Sequence, residues 1–343
     1  MDKRIPSAIV IGCIALLLVF GAGLSGKSVA FGQTNIRFST WHVPVGYEVK
    51  TVWEPMLEQL KKKSNGKISY AMYPGGALGK GPEHYDIVAK GLSDMGYFTA
   101  TWQPGKFPLT DVLSLAAWVD GKDIATEIGN AMYKRVLNQE FQGVKMVELN
   151  GCIQAFIWTK KPVKSLEDLK GMKIAVSGAT MVKVGRALGL SPVTMSTGDL
   201  YEAADKGVID GFVRPVELLV SRKLAEVAKY VTDVDLGHDL FFIVMNQKKW
   251  DSLPPDAKKV LTELSGDWAV EFTGKAWDKF DQEAAADVKA KGIEFISLPK
   301  QEEARWRKLI SPIKDEYAAD LEAKKLPGKK ILEELKKLAE KKG

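Results

Sequence analysis

Apolar positions along the chain follow two periods, and their order outlines the elements. Residues 35–40 alternate, with Ile36 and Phe38 on one side, and predict a strand. Val49, Val52, Trp53, Met56, Leu57 and Leu60 then recur at helical spacing until Asn65-Gly66 stops them. A strand is predicted over 68–73, a helix over 83–90 ended by Gly91, and a third strand over 93–99. Residues 123–139 predict a helix and 144–149 the strand after it, with 150–158 leading into a second region. There the pattern is densest. Ser165 ahead of Asp168 marks a helix start, Lys170-Gly171 its end, and 173–176 a strand. A helix over about 179–187, a strand over 191–195, a helix over 200–206 closed by Gly207 and a strand over 208–212 complete that run. Beyond it, 218–230 predicts a helix and 241–246 a strand that pairs back with the first region. Residues 256–291 read as one long helix, 292–298 as a late strand, and 302–325 and 330–341 as charged amphipathic helices.

Strands alternating with helices predict an α/β fold with parallel sheets and helices on their faces. Ligands of such sheets bind beyond the carboxyl ends of the strands. The candidate positions are therefore 175–178, 196–198 and 212–215 in the second region, and the loops 41–46 and 101–105 in the first. No internal repeat and no low-complexity linker occurs, so the two regions must be joined by strands and helices that cross between them.

A length of 343 residues with 45% hydrophobic content supports a large core and two domains. The formal charge of +6 is diluted by 43 acidic residues. Lys61, Lys62, Lys63 and the C-terminal lysines read as solvated helix faces, and no aromatic interleaving points to nucleic acid. At the N-terminus, Lys3-Arg4 precedes an uncharged run over 8–24, and Ser28-Val29-Ala30 offers a small-x-small cleavage site. Residues 1–30 thus read as a secretory signal peptide; an uncleaved anchor is the alternative, since the run approaches the ~20 residues of a membrane span. Cys13 lies inside the apolar run rather than at its end, which argues against a lipid-anchoring cysteine. Cleavage would leave 46 basic and 42 acidic residues, a net charge of +4. Only Cys152 would remain, flanked by apolar residues and read as a buried structural thiol. The expected product is periplasmic, with no further membrane span.

Enzyme signatures do not appear. The chain holds no P-loop, GxSxG, HExxH, CxxC or GxGxxG pattern, and its histidines are His42, His84 and His238. A Cys152–His nucleophile, or Asp199, Glu202 and Asp210 as an acid pair or metal cluster, are the enzyme readings; a structural thiol and helix capping account for the same residues. No cofactor and no metal is expected, and a secreted enzyme stands as the reading from another class.

Several motifs in consistent order carry a resemblance. Leu169-Lys170-Gly171-Met172-Lys173-Ile174, Leu200-Tyr201-Glu202-Ala203 and Gly207-Val208-Ile209-Asp210-Gly211 with Pro215 beyond belong to it. So do Tyr73-Pro74-Gly75-Gly76-Ala77-Leu78-Gly79, Gly91-Leu92-Ser93-Asp94 and Asn246 followed by Leu253-Pro254. Together, over about residues 35–298, the chain resembles the extracytoplasmic solute receptors of TRAP transporters, the DctP-like type. The resemblance implies a two-domain periplasmic-binding-protein-like fold, with a cleft between the domains and a long helix spanning both. It would divide the chain into 31–151 plus about 240–255, 152–239, the helix 256–291, and a C-terminal segment 292–343 packing on both domains. The implied function is capture of a small organic ligand by hinge closure and delivery to the TRAP membrane permease. A sensory receptor coupled to a membrane kinase is the alternative on the same fold; a neighbouring permease gene or kinase gene separates the two.

One position departs from the family. There the strand after the L-K-G turn ends K-I-R-V, and its arginine pairs with the ligand's carboxylate. Here the strand reads Lys173-Ile174-Ala175-Val176, and Ala175 offers neither charge nor planar fork. Either the ligand lacks that carboxylate or holds it elsewhere, or Arg214 supplies the cation. Arg214 stands just before Pro215, where the family carries an uncharged polar residue, often Asn. A surface arginine, or one paired with Glu217 a helical turn on, is the plain alternative. The other cleft positions implied by the motifs are Trp41, His42, Thr99, Gln154, Ala155, Gly178, Thr197, His238 and Asp239. Small residues there make room. Trp41, Tyr97, Phe98, Trp102 and Phe156 are candidate flat walls, with one or two of them expected on the ligand, and His42 or His238 a candidate donor. The expected ligand is an aromatic or branched acid rather than a small dicarboxylate.

Overall fold

A computed structural model describes residues 33–114, 122–154, 156–195, 197–234 and 236–341. The expected signal segment and Ala155 lie outside them. Eleven strands occur in the order β1 (Thr34–Ser39), β2 (Ile68–Tyr73), β3 (Met95–Thr99), β4 (Val144–Gln154), β5 (Phe156–Thr159), β6 (Lys173–Val176), β7 (Ser191–Thr194), β8 (Gly211–Arg214), β9 (Tyr230–Asp233), β10 (His238–Asn246) and β11 (Glu294–Ser297). They form two sheets, ordered β2-β1-β3-β10-β4 and β11-β9-β5-β8-β6-β7. The α/β class and the return of β10 to the first sheet are as the sequence predicts. Both sheets are mixed rather than parallel, because β10 runs antiparallel to β3 and β4, and β5 antiparallel to β8 and β9. Each exception is a strand that has just crossed from the other sheet, or adjoins such a crossing.

Both faces of the central strands β3 and β8 are buried, so their successive residues serve opposite cores. On β3, Tyr97 joins the core around Trp53 and Trp158, while Phe98 joins the one around Phe107, Phe242 and Trp306. On β8, Phe212 and Val213 divide in the same way. This alternation fixes which side chains of each strand reach a given face.

Three predicted helices change shape. The run 256–291 is two helices, Pro255–Glu263 and Asp267–Ala290. Gly266 breaks it with φ +60, its N–H donating to the Val147 carbonyl at 2.8 Å instead of continuing the helical ladder. Helix Asp267–Ala290 still packs against both halves, touching Val216–Ser221 on one side and β4 on the other. The run 218–230 becomes a helix over Val216–Ser221, a single turn over Leu224–Glu226 and then β9. Lys223, at φ +57, ends the helix, and the β-branched Val231 and Thr232 favour a strand. The run 302–325 splits into Lys300–Ile310 and Ile313–Ala323 at Pro312, which has no N–H to give. The C-terminal helices tie onto both halves: Tyr317 donates to the Pro108 carbonyl (2.8 Å), and Glu302 accepts from the Leu166 N–H (2.8 Å).

Where helix Asp267–Ala290 meets β4, an acid is buried. Glu148 Oε1 accepts from Thr273 Oγ1 and from Asn150 Nδ2 (3.1 Å), while Oε2 has no partner. Burial pushes this carboxyl up to about 7. A folded pKa above the unfolded one contributes stability below about pH 4.5, which is lost as pH rises through 7. Glu148→Gln keeps an acceptor for Thr273 and never ionises. Between pH 4.5 and 8.5, denaturant unfolding should therefore shift in favour of the variant by roughly 3 kcal/mol. A difference independent of pH would contradict this.

Candidate ligand-binding cleft

The carboxyl ends of five parallel strands point at one cavity. Trp41 and His42 follow β1, Trp102 follows β3, Ser177 follows β6, Thr197 follows β7 and Pro215 follows β8. Glu48, Tyr97, Arg214, Glu217, Leu218, Arg222, Phe241 and Trp277 complete the lining, around about 660 Å³ of empty space that includes the open mouth. Both sheets and helix Asp267–Ala290 contribute.

One wall is aromatic. Trp41 stacks on Tyr97 (5.0 Å, 20°), and Tyr97 on Phe241 (5.1 Å, 12°). Trp102 leans on Trp41 at 4.6 Å, and Trp277 lies nearly parallel to Tyr97 at 6.5 Å. Each such pair adds about 0.5–1.5 kcal/mol beyond its buried area. The wall is therefore held flat by its own contacts, without waiting for a ligand.

His42 has a fixed role. The Trp53 indole, a donor only, gives its Nε1–H to His42 Nδ1 at 3.0 Å, and Thr40 Oγ1 lies 2.7 Å from the same nitrogen. Nδ1 is thus an acceptor, and the proton of the neutral ring sits on Nε2. Burial, reinforced by the Arg222 charge, lowers the pKa to about 3. At neutral pH His42 offers one N–H and no charge.

Arg214 is 4% exposed and lines the cavity from the end of β8. Its Nη1 donates to the Val213 carbonyl (2.6 Å) and its Nη2 to the Met195 carbonyl (3.1 Å), which fixes the guanidinium plane. Trp158 Nε1 in turn donates to the Arg214 carbonyl (2.7 Å), anchoring this strand end to β5. Among the described residues no ion pair joins Arg214 to Glu217. A second cation, Arg222, lies on the same lining, and its charge acts on both His42 and Glu48.

Of the positions named from sequence, the structure brings together Trp41, His42, Tyr97, Trp102, Thr197 and Arg214, with Ser177 and Pro215 from the candidate stretches. Thr99 is buried, with Oγ1 3.1 Å from Thr101 Oγ1 and no part in the lining. Ala175 lies fully buried among Trp158 and Phe212, so no neighbour restores a cation at the departing position. Gly178 abuts Thr101 and leaves the cavity to Ser177. The backbones of Gln154 and His238 pair across β4 and β10; the side chains of Gln154, His238 and Asp239, and all of Ala155, lie outside the described residues. Phe98 faces away from Tyr97, against Phe242 at 5.3 Å, and Phe156 packs near Trp158 at 6.2 Å. Five lining residues lie outside the positions that the sequence points to: Glu48, Leu218, Arg222, Phe241 and Trp277. Strand alternation on β10 is the one signal that bears on Phe241.

Trp102 depends on a glycine. A Cβ at Gly81 would stand 2.3 Å from Trp102 Cζ3 and 2.9 Å from Cε3, so the rigid indole must move. Gly81→Ala should weaken ligand affinity about tenfold in calorimetry, through the overpacking penalty of about 1–3 kcal/mol. Gly274→Ala, in a helix with nothing within 4 Å, is the control. It should leave affinity unchanged and add about 0.5–1 kcal/mol of stability. Equal affinities in both variants would contradict the role given to Trp102.

The family described as bacterial extracellular solute-binding protein, family 7, matches residues 40–320. Among curated relatives, the C4-dicarboxylate-binding periplasmic protein DctP of Rhodobacter capsulatus is 24% identical, over 93% of this chain and 95% of its own length. A TRAP solute-binding protein from Rhodoferax ferrireducens, solved with copurified benzoate, superposes with TM-score 0.85 at 22% identity, over 90% of this chain and 98% of its own. A marine metagenome TRAP solute-binding protein specific for aromatic acid ligands, solved with 3-hydroxybenzoate, superposes with TM-score 0.85 at 26% identity, over 90% and 99%. Among the described residues no helix is long and apolar enough to cross a membrane, and no group of three or more His, Cys, Asp or Glu is placed to hold a metal ion.

Proposed function

We propose, for a chain that belongs to family 7 of the bacterial extracellular solute-binding proteins, that the cleft captures an aromatic carboxylic acid whose carboxylate is held by Arg214. The observation that carries this reading is a buried guanidinium opening on a cavity walled by stacked rings. A planar fork matches a carboxylate in charge and geometry. Trp41 and Trp102 offer flat apolar surface to the ligand's ring, and the His42 Nε2–H offers a neutral donor. Apolar walls with a few oriented polar groups are the usual composition of such sites. The benzoate and 3-hydroxybenzoate bound by the two similar proteins belong to the same chemical class.

Capture works by closure of two domains, residues 31–151 with about 240–255 and residues 152–239. The ligand contacts both sides only when they are closed, so binding shifts the population towards that state. Residues 1–30 direct export to the periplasm, and the loaded receptor delivers its ligand to the TRAP permease in the membrane. No step of this cycle needs catalysis.

Mass spectrometry of small molecules released from the denatured, freshly purified protein tests the reading, followed by calorimetry with what is found. An aromatic acid with micromolar or tighter affinity is expected. Recovery and tight binding of succinate, with no binding of aromatic acids, would overturn it.

A further inference from the structure

We propose that the cleft has a second, acidic pole, Glu48 and Glu217, which selects ligands carrying a hydrogen-bond donor in addition to their carboxylate and rejects dicarboxylates. This rests on the acid-receptor reading above. The donor is a hydroxyl or a protonated amine.

Glu48 and Glu217 are 4% and 6% exposed, and both line the cavity that Arg214 lines. The Oε2 of each has no hydrogen-bond partner, and neither carboxyl forms an ion pair among the described residues. A buried oxygen left without a donor forfeits about 1–3 kcal/mol, more for a charged group. On the lining of a ligand cavity, the group that recovers this energy is a donor brought by the ligand.

The two poles have one structural origin. β8 ends at Arg214, Pro215 turns the chain, and Glu217 stands in the first turn of helix Val216–Ser221. Cation and acid thus leave the same strand-to-helix junction three residues apart. Glu48 approaches from the other half, ahead of the turn Val49–Trp53, within reach of the Arg222 charge. Burial holds the Glu217 carboxyl well above the ordinary range, and the charges of Asp281 on the long helix and Glu48 across the cavity add to this. An incoming carboxylate would add a further like charge to those of Glu48 and Asp281. An incoming ammonium would relieve the repulsion, and a hydroxyl would satisfy the bare oxygen.

Two matched series test this by calorimetry on the full-length mature protein. One is 3-phenylpropanoate, 3-phenyllactate and phenylalanine; the other is benzoate, 3-hydroxybenzoate and 3-(aminomethyl)benzoate. In at least one series the donor-bearing acids should bind tenfold or more tightly than the bare one, and succinate should give no heat. Whether the hydroxyl or the amine leads identifies the donor. Glu217→Met and Glu48→Met should together abolish the preference. Glu217→Gln should keep a hydroxyl preference and lose an ammonium one. Equal affinity within both series, or a preference that survives both Met substitutions, would overturn the second pole while leaving the receptor reading intact. If no monocarboxylate binds, the receptor reading falls and takes the second pole with it. The wild-type series decides the point even where a variant fails to fold.

Discussion

Arg214→Ala is expected to weaken binding of the cleft's acid by a hundredfold or more. Removing one partner of a buried, hydrogen-bonded charge pair costs about 2–5 kcal/mol, because the other charge stays buried without its counterion. Arg214 meets that condition: it is buried, and two backbone carbonyls hold its guanidinium in place. Lysine should recover only part of the loss, since it returns the charge without the fork. Arg222 is more exposed than Arg214, and Arg222→Ala should cost less. The Val213 and Met195 carbonyls lose their donors in the alanine variant, so ligand-free melting must accompany the titration. Unchanged affinity at Arg214→Ala would move the anchor elsewhere, with Arg222 the next cation on the lining.

The largest effect on stability is expected at Gly211. A Cβ there would lie 2.1 Å from the Trp158 carbonyl oxygen and 2.9 Å from Thr159 Cγ2. Both contacts lie on β5, which pairs Thr159 with Gly211 and Phe156 with Arg214. A backbone atom on a paired strand cannot swing aside as a side chain does; β5 and β8 must separate. Gly211→Ala should cost about 3 kcal/mol or more, equivalent to roughly 5–10 °C in Tm. Affinity should fall with it, because β8 carries Arg214 at its far end. A melting temperature within a degree of wild type would contradict the close approach.

The sequence announced the elements better than their junctions. Apolar period and glycine stops located β1, β2 and β6 within a residue or two, because both signals are local. Breaks that depend on tertiary contacts were hidden. Gly266 looks like a tolerable interruption of a helix until its N–H is seen to bond Val147, and β9 follows a helix-compatible stretch that only Lys223 ends. Asp168 illustrates the opposite case: its carboxylate accepts the Ser165 N–H at 2.9 Å, and the spacing alone predicted that start.

The site divides along the same line. Trp41, His42, Trp102, Thr197 and Arg214 follow strand ends, and the motifs that set those ends are readable. The motifs imply Thr99, which is buried against Thr101, and the two-residue period of a strand places Phe98 opposite Tyr97 and so away from the cavity. Trp277 and Glu48 come from helical segments whose approach to the cleft is decided by packing. Nothing local to either residue reports it.

A crystal structure of the protein with the acid recovered from it tests the central claim most directly. The account predicts the ligand's carboxylate within hydrogen-bond distance of the Arg214 guanidinium and its ring against Trp41 and Trp102. A carboxylate held elsewhere, out of reach of the Arg214 guanidinium, would contradict it.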